Sequence, residues 1–171
     1  MHNENIIVAM DKNRVIGKGG MIPWRLPTDM EHFKKTTIDG ERVGMGRKTW
    51  DSIPEKFRPL PKRLNVVLTR DKNFKIQSPN CMVLNSPEHF LKVFRGKKFY
   101  VIGGEGIYKL FMPHISRLVV THVHTVIEEG DAFFPEITDE WKPHTLFEKE
   151  ADEKNQFSFT VVEYTRRPRT L

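Results

Sequence analysis

A chain of 171 residues carrying a formal charge of +6 has the length of one globular domain, since domains cluster at roughly 100–200 residues. With 38% hydrophobic and 11% aromatic residues it has enough apolar material for a core, which excludes wholesale disorder. The longest apolar run, Ile6 to Met10, falls far short of the ~20 residues that cross a bilayer. No secretory signal or Asn-x-Ser/Thr acceptor occurs and Cys81 is the only cysteine, so a cytosolic protein without disulfides or a cysteine-rich metal site is expected.

Short apolar, β-branched runs alternate with stretches of helical spacing. In chain order the strands fall at Ile6 to Met10, Arg42 to Met45, Leu64 to Thr69, Met82 to Leu84, Phe99 to Ile102 and Leu118 to Val123, with helices at Pro27 to Ile38, Arg47 to Ile53, Ser86 to Arg95 and Gly106 to Phe111. This is the pattern of an α/β fold with buried parallel strands. After Val123, strands at Thr145 to Lys149 and Phe157 to Tyr164 follow without a helix between them, which predicts an antiparallel hairpin at one sheet edge. No repeat or linker divides the chain, so residues 1–171 are read as one domain.

The loop Asp11 to Arg25 holds Gly17, Gly19, Gly20 and Pro23 and leaves a central strand, the end at which α/β sheets keep ligands. Pro54 to Arg63 is a stiff, cationic connection. On a helical wheel advancing about 100° per residue, Asp29 borders the apolar stripe of Leu26, Met30 and Phe33, whereas Glu31 faces solvent. A carboxylate there can be desolvated, its pKa raised, and used to bind a protonated heterocycle. It can equally be a first-turn acid complementing the helix dipole after Pro27.

Gly46-Arg47-Lys48-Thr49-Trp50 opens a helix with free amides, a hydroxyl and two cations, which suits a pyrophosphate or an ordinary solvent-facing helix start. Tyr100 to Tyr108 runs from a strand through Gly103, Gly104 and Gly106 into a helix, but without the G-x-G-x-x-G spacing of a Rossmann site. Two such helix starts on one sheet edge could hold one extended diphosphate. His122 and His124 share a strand face with no third ligand at metal spacing, so no metal is expected. No nucleophile motif is present. Cys81 reads as a buried small hydrophobe, and Met10, Met21, Met30 and Met45 as core filler. The scattered Lys/Arg pairs favour small polyanions over neutral ligands, and without a long basic run or an RRM signature they do not point to RNA.

Ile7-Val8-Ala9-Met10, Asn13 to Gly17, Pro23 to Asp29, Met45 to Trp50, Arg58 to Arg63, Val101 to Gly104, Val120 to His122 and Gly130 to Pro135 resemble the motifs of the dihydrofolate reductase family, in order and over nearly the full length. The resemblance implies a central eight-stranded, mainly parallel sheet with a C-terminal antiparallel edge and four flanking helices. It implies NADPH-dependent reduction of 7,8-dihydrofolate, with hydride passing from nicotinamide C4 to pterin C6 and a proton reaching N5. Asp29 then grips the pterin 2-amino group and N3, with Thr121 and a water near Trp24 completing the network. Asp29 lies too far around the ring to protonate N5 directly, so water is the donor; Tyr108 is placed with this catalytic group.

Ile7, Ala9, Met30, Phe33, Ile53, Leu60 and Ile102 would line the substrate cleft, and Arg63 would take the α-carboxylate of the substrate tail. Toward the cofactor, Ala9 and Ile16 would flank the nicotinamide, Lys48, Thr49 and the Gly104-Glu105-Gly106 turn would take the pyrophosphate, and Arg47, Thr69 and Arg70 the adenosine 2′-phosphate. Gly17, Gly46, Leu68, Ile102, Gly103, Ile107 and Tyr108 would belong to the cofactor site as well. Asp11 to Arg25 resembles a mobile lid, and Gly103-Gly104 the family's cis peptide. Gly44 departs from the bulky apolar residue usual at its position and is expected to loosen its strand. The insertion Pro54 to Phe57 and Ile22 are further departures, bearing on antifolate inhibitors. Pterin or pyrimidine reductases of similar fold would not require Asp29 together with Arg63. A monomer is expected, with no nucleic-acid or membrane partner.

Overall fold

The computed structural model describes residues 2–168. Ten strands form in chain order: β1 (Glu4–Met10), β2 (Val15–Gly17), β3 (Arg42–Gly46), β4 (Leu64–Leu68), β5 (Cys81–Leu84), β6 (Phe99–Val101), β7 (Arg117–Val123), β8 (Ala132–Phe133), β9 (Trp141–Lys149) and β10 (Phe159–Arg166). The helices are α1 (Pro27–Gly40), α2 (Arg47–Ser52), α3 (Pro87–Val93) and α4 (Glu105–Phe111). Eight strands make one sheet in the order β5-β4-β3-β6-β1-β7-β10-β9, parallel except where β10 meets β7 and β9. The expected architecture is therefore present. The pair β2–β8, inside and opposite the glycine-rich loop, is an addition that three- and two-residue strands were too short to announce.

Because side chains alternate across a strand, register divides the core into two faces. Ile7, Tyr100, Val119 and Val161 point one way, joined by Leu26 just before α1 and Phe33 within it, and Val43, Met45 and Val67 continue this face under Trp50 of α2. Ile6, Val8, Val66, Val101, Leu118 and Val120 point the other way, against Phe90 and Phe94 at α3 and Tyr108 and Phe111 of α4. Phe90 lies at the centre of the second face, its ring tilted or edge-on to Phe94, Phe99 and Phe111.

That aromatic group corrects the reading of Gly44. A Cβ at Gly44 would stand 2.9 Å from the Phe90 ring, so the ring occupies the space a larger residue would take. β3 is not loosened: it pairs along its length with β4 and at Val43 and Gly44 with β6. The methionines divide as well. Met10 and Met45 are buried, but Met21 is 73% and Met30 55% exposed, so these two are not core filler. Met21 sits near the tip of the glycine-rich loop, and Met30 on α1 lies outside the packed clusters that take in Phe33. Cys81 is half-buried beside the Met45 cluster.

Candidate active site

The parallel strands deliver their carboxyl ends to one edge, where a ligand can reach backbone and loops together. Met10, Gly46, Leu68 and Val101 close β1, β3, β4 and β6 at this edge. Gly46 N–H donates to the Gly103 carbonyl at 2.9 Å and Ile102 N–H to the Gly44 carbonyl at 2.9 Å, joining the ends of β3 and β6.

α1 supplies one wall. Its Leu26 N-cap offers no side-chain acceptor; instead Asn155, from the β9–β10 connection, accepts from the Thr28 amide at 3.1 Å. One helical face then carries Asp29, Phe33 and Thr37, four residues apart. Asp29 is 9% exposed and accepts a 2.6 Å hydrogen bond from the Thr121 hydroxyl on β7. Burial pushes its carboxyl up to about 6, with the Thr121 bond pulling partly the other way. The wheel's placement beside the stripe thus describes a desolvated acid, whereas Glu31 is exposed and paired with Lys35. Ala9 pairs in register with Thr121, so β1 and β7 bring Ile7, Ala9 and Thr121 to the same side. Trp24, Phe33 and Ile102 pack there too, and Ile102 continues into the cluster that holds Ile53 and Leu60.

Thr37 lies about 12 Å along the axis from Asp29, at 1.5 Å per residue. Its hydroxyl accepts from Arg63 Nη1 at 2.8 Å, while Arg63 Nε donates to the Pro61 carbonyl. Arg63 is buried and these hydrogen bonds go to neutral groups, so desolvation lowers its pKa without a carboxylate to offset it. Asn65 fixes the loop behind it, accepting from Leu60 N–H and donating to the Leu60 and Arg63 carbonyls. One face of α1 thus carries the buried acid and, two turns or about 12 Å further on, the threonine that holds the Arg63 guanidinium. Sequence reasoning missed Thr37 and Asn65; the eight-residue spacing from Asp29 to Thr37 was the available signal for the first.

The opposite wall is a glycine cradle. A Cβ on Gly46 would meet Ile107 at 2.8 Å, one on Gly103 would meet the Tyr108 hydroxyl at 3.3 Å, and one on Gly104 would face the Thr49 hydroxyl at 3.5 Å. The Gly103–Gly104 peptide is cis. Neither Gly46 nor Gly104 caps its helix with a side chain. Glu105 directs its carboxylate away, accepting from Phe133 N–H and Lys109, which leaves its amide rather than its charge at the cradle. Tyr108 is buried and donates to the Ile7 carbonyl at 2.9 Å, with burial pushing its phenol up. Leu68 is buried on the α3–α4 side. Lys48 and Arg70 are exposed, and Thr69 is half-buried. Arg47 stacks on Phe74 at 3.8 Å.

Asp11 and the loop after it close the edge. Asp11 is buried and accepts from the amides of Asn13 and Val15 at 2.8 Å each and of Ile127 at 2.7 Å. Gly19 N–H reaches Asp131, and Arg25 exchanges hydrogen bonds with Gln156. Ile16 and Gly17 lie in β2, which β8 holds. His122 contacts the Tyr164 hydroxyl, and His124 contacts Ser158 and Thr160. Among the described residues no group of three or more His, Cys, Asp or Glu gathers as a metal ion would need.

A buried carboxylate on α1, bonded to β7, and a glycine cradle where β3 and β6 end make the carboxyl edge of this α/β sheet the candidate site of an enzyme. A family model described as dihydrofolate reductase matches residues 4–166. Dihydrofolate reductase of Staphylococcus haemolyticus is 41% identical over 164 residues, 95% of each chain. That of Bacillus subtilis strain 168 is 38% identical over 165 residues, 95% of this chain and 94% of that one. Among solved structures, Enterococcus faecalis dihydrofolate reductase complexed with NADP(H) and RAB-propyl superposes with TM-score 0.83 at 34% identity, covering 95% of each chain. The chain belongs to the dihydrofolate reductase family.

Proposed function

We propose that this chain reduces 7,8-dihydrofolate to 5,6,7,8-tetrahydrofolate with NADPH, the pterin anchored by Asp29. The observation that carries the reading is the Asp29–Thr121 pair, a buried carboxylate hydrogen-bonded across from α1 to β7. In that place the acid binds the pterin 2-amino group and N3, and Thr121 and a water near Trp24 complete the donor–acceptor match. Ile7, Ala9, Met30, Phe33, Ile53, Leu60 and Ile102 shape the slot, and Arg63 receives the α-carboxylate of the tail as a two-pronged donor. Water brings the proton to N5 while the Asp29 charge polarises the ring.

NADPH, when bound, supplies the hydride. The cradle fits it: Gly46, Gly103 and Gly104 leave room where side chains would intrude, and the amides that open α2 and α4, with Lys48, Thr49, Glu105, Gly106 and Ile107, meet a pyrophosphate. Ala9, Ile16 and Gly17 flank the nicotinamide. Arg47, Thr69 and Arg70 meet the 2′-phosphate, and Leu68 supports them from below. Tyr108 acts through the Ile7 carbonyl, whose position it fixes, since its O–H is committed there. The loop Asp11 to Arg25 covers the reacting rings and excludes bulk water. Antifolate inhibitors compete for the same slot. The chain works as a single-domain, cytosolic monomer. Loss of NADPH absorbance on adding dihydrofolate tests the activity, and no turnover with either nicotinamide cofactor would reject it.

A further inference from the structure

The adenosine end of the proposed cofactor groove carries two acids that the reading above leaves without a role. Arg47 Nε donates to Asp51 Oδ2 at 2.8 Å, one helical turn on, and Arg47 Nη1 lies 4.0 Å from Asp71 Oδ2. One face of the guanidinium is covered by the Phe74 ring. Asp71 is not a loose surface acid: its other oxygen accepts from the Asn73 amide at 2.9 Å, and its own amide donates to the Thr69 hydroxyl at 3.1 Å. It is therefore held between Thr69 and Arg47, two of the three groups assigned to the 2′-phosphate.

We propose that Asp71 is a specificity-determining residue that opposes the 2′-phosphate, so that the preference for NADPH over NADH is held below what the surrounding cations alone would give and rests more on Arg70 than on Arg47. This rests on the cofactor reading above. A phosphate monoester brings about −1.5 to −2 charge. To reach Arg47 it must share the guanidinium with Asp51 and approach Asp71 well within the roughly 8–10 Å over which charges act in physiological salt. NADH, lacking that group, meets no such repulsion. Arg70, next to Thr69 and exposed, forms neither a hydrogen bond nor an ion pair among the described residues, so its charge is available in full.

The test is direct titration of the full-length protein with NADPH and with NADH, followed by calorimetry, for the wild type and for Asp71→Asn, which keeps an acceptor for the Asn73 amide. Asp71→Asn should bind NADPH about three- to ten-fold more tightly, as expected for removing one partly screened charge, with NADH affinity unchanged and thermal unfolding unmoved. The gain should shrink as salt rises. Arg70→Ala should erase more of the NADPH preference than Arg47→Ala. Equal changes for both cofactors, or weaker NADPH binding in Asp71→Asn, would overturn the proposal while leaving the 2′-phosphate site intact. A wild type that binds both cofactors alike would instead reject the 2′-phosphate assignment itself.

Discussion

The two ends of the edge groove solve ligand binding by opposite physics. At the end proposed for the pterin a single carboxylate is buried, supported by one hydroxyl and set beside apolar side chains. At the end proposed for the adenosine, Arg47 remains 40% exposed in its side chain and shares its charge with two acids. A charge in a dry site interacts strongly because little water screens it, and the same charge at the surface is worth a fraction of that. Discrimination is therefore concentrated at the buried end. Errors at the dry end should stop chemistry, and errors at the wet end should only tune affinity.

The largest effect expected is at Asp29. Asp29→Asn should lower kcat at neutral pH by roughly two orders of magnitude or more, the range of a lost acid–base group. Activity should recover partly as the medium is acidified and substrate protonates from solvent. Pre-steady-state hydride transfer across pH checks this, and a profile parallel to wild type would abolish the contrast between the two ends. Next comes Arg63→Leu, which removes a charge-assisted contact worth about 1.5–3 kcal/mol. The KM for dihydrofolate should rise about ten- to a hundred-fold with a smaller change in kcat, and an unchanged KM would take Arg63 out of the slot.

The Asp29 carboxyl is raised to about 6 by burial, against about 3.9 in an unfolded chain. The native state therefore holds its proton over a range where the unfolded state has lost it, and stability falls as pH rises from about 4 to about 6. Asp29→Asn escapes that cost. It should be more stable than wild type by up to about 3 kcal/mol at neutral pH and nearly equal to it below about pH 4, as denaturant melts at both pH values would show. A stability gap independent of pH would mean that the acid is not desolvated. The smallest effect belongs to the wet end: Arg70→Ala should weaken NADPH about five-fold, as an exposed charge would, and leave NADH alone, with high salt removing most of the difference.

The sequence disclosed the parallel strands because buried β-branched runs such as Leu64 to Leu68 differ in composition from everything around them, and it disclosed Asp29 because helical periodicity reports which side of a stripe a residue borders. Wheel position did not disclose Met30, which sits nearer the nominal centre of the stripe yet is exposed: periodicity locates a direction, not the extent of what packs against it. The partners of the site were harder. Thr37 under Arg63, Asn155 on the first turn of α1, and Phe74 under Arg47 come from segments distant in sequence or without regular structure, and only folding puts them in contact. Gly44 was misread for the same reason, since its neighbour Phe90 lies in another element.

The three amides gathered by Asp11 give the glycine-rich loop a root pinned by one buried carboxylate, while its crown is held separately, by the Lys18–Met21 bridge and by Gly19 N–H on Asp131. Loss of the Asp11 carboxylate would orphan three amides at once, whereas loss of the Asp131 carboxylate would release only one exposed bond. The same loop therefore has a costly hinge and an inexpensive latch.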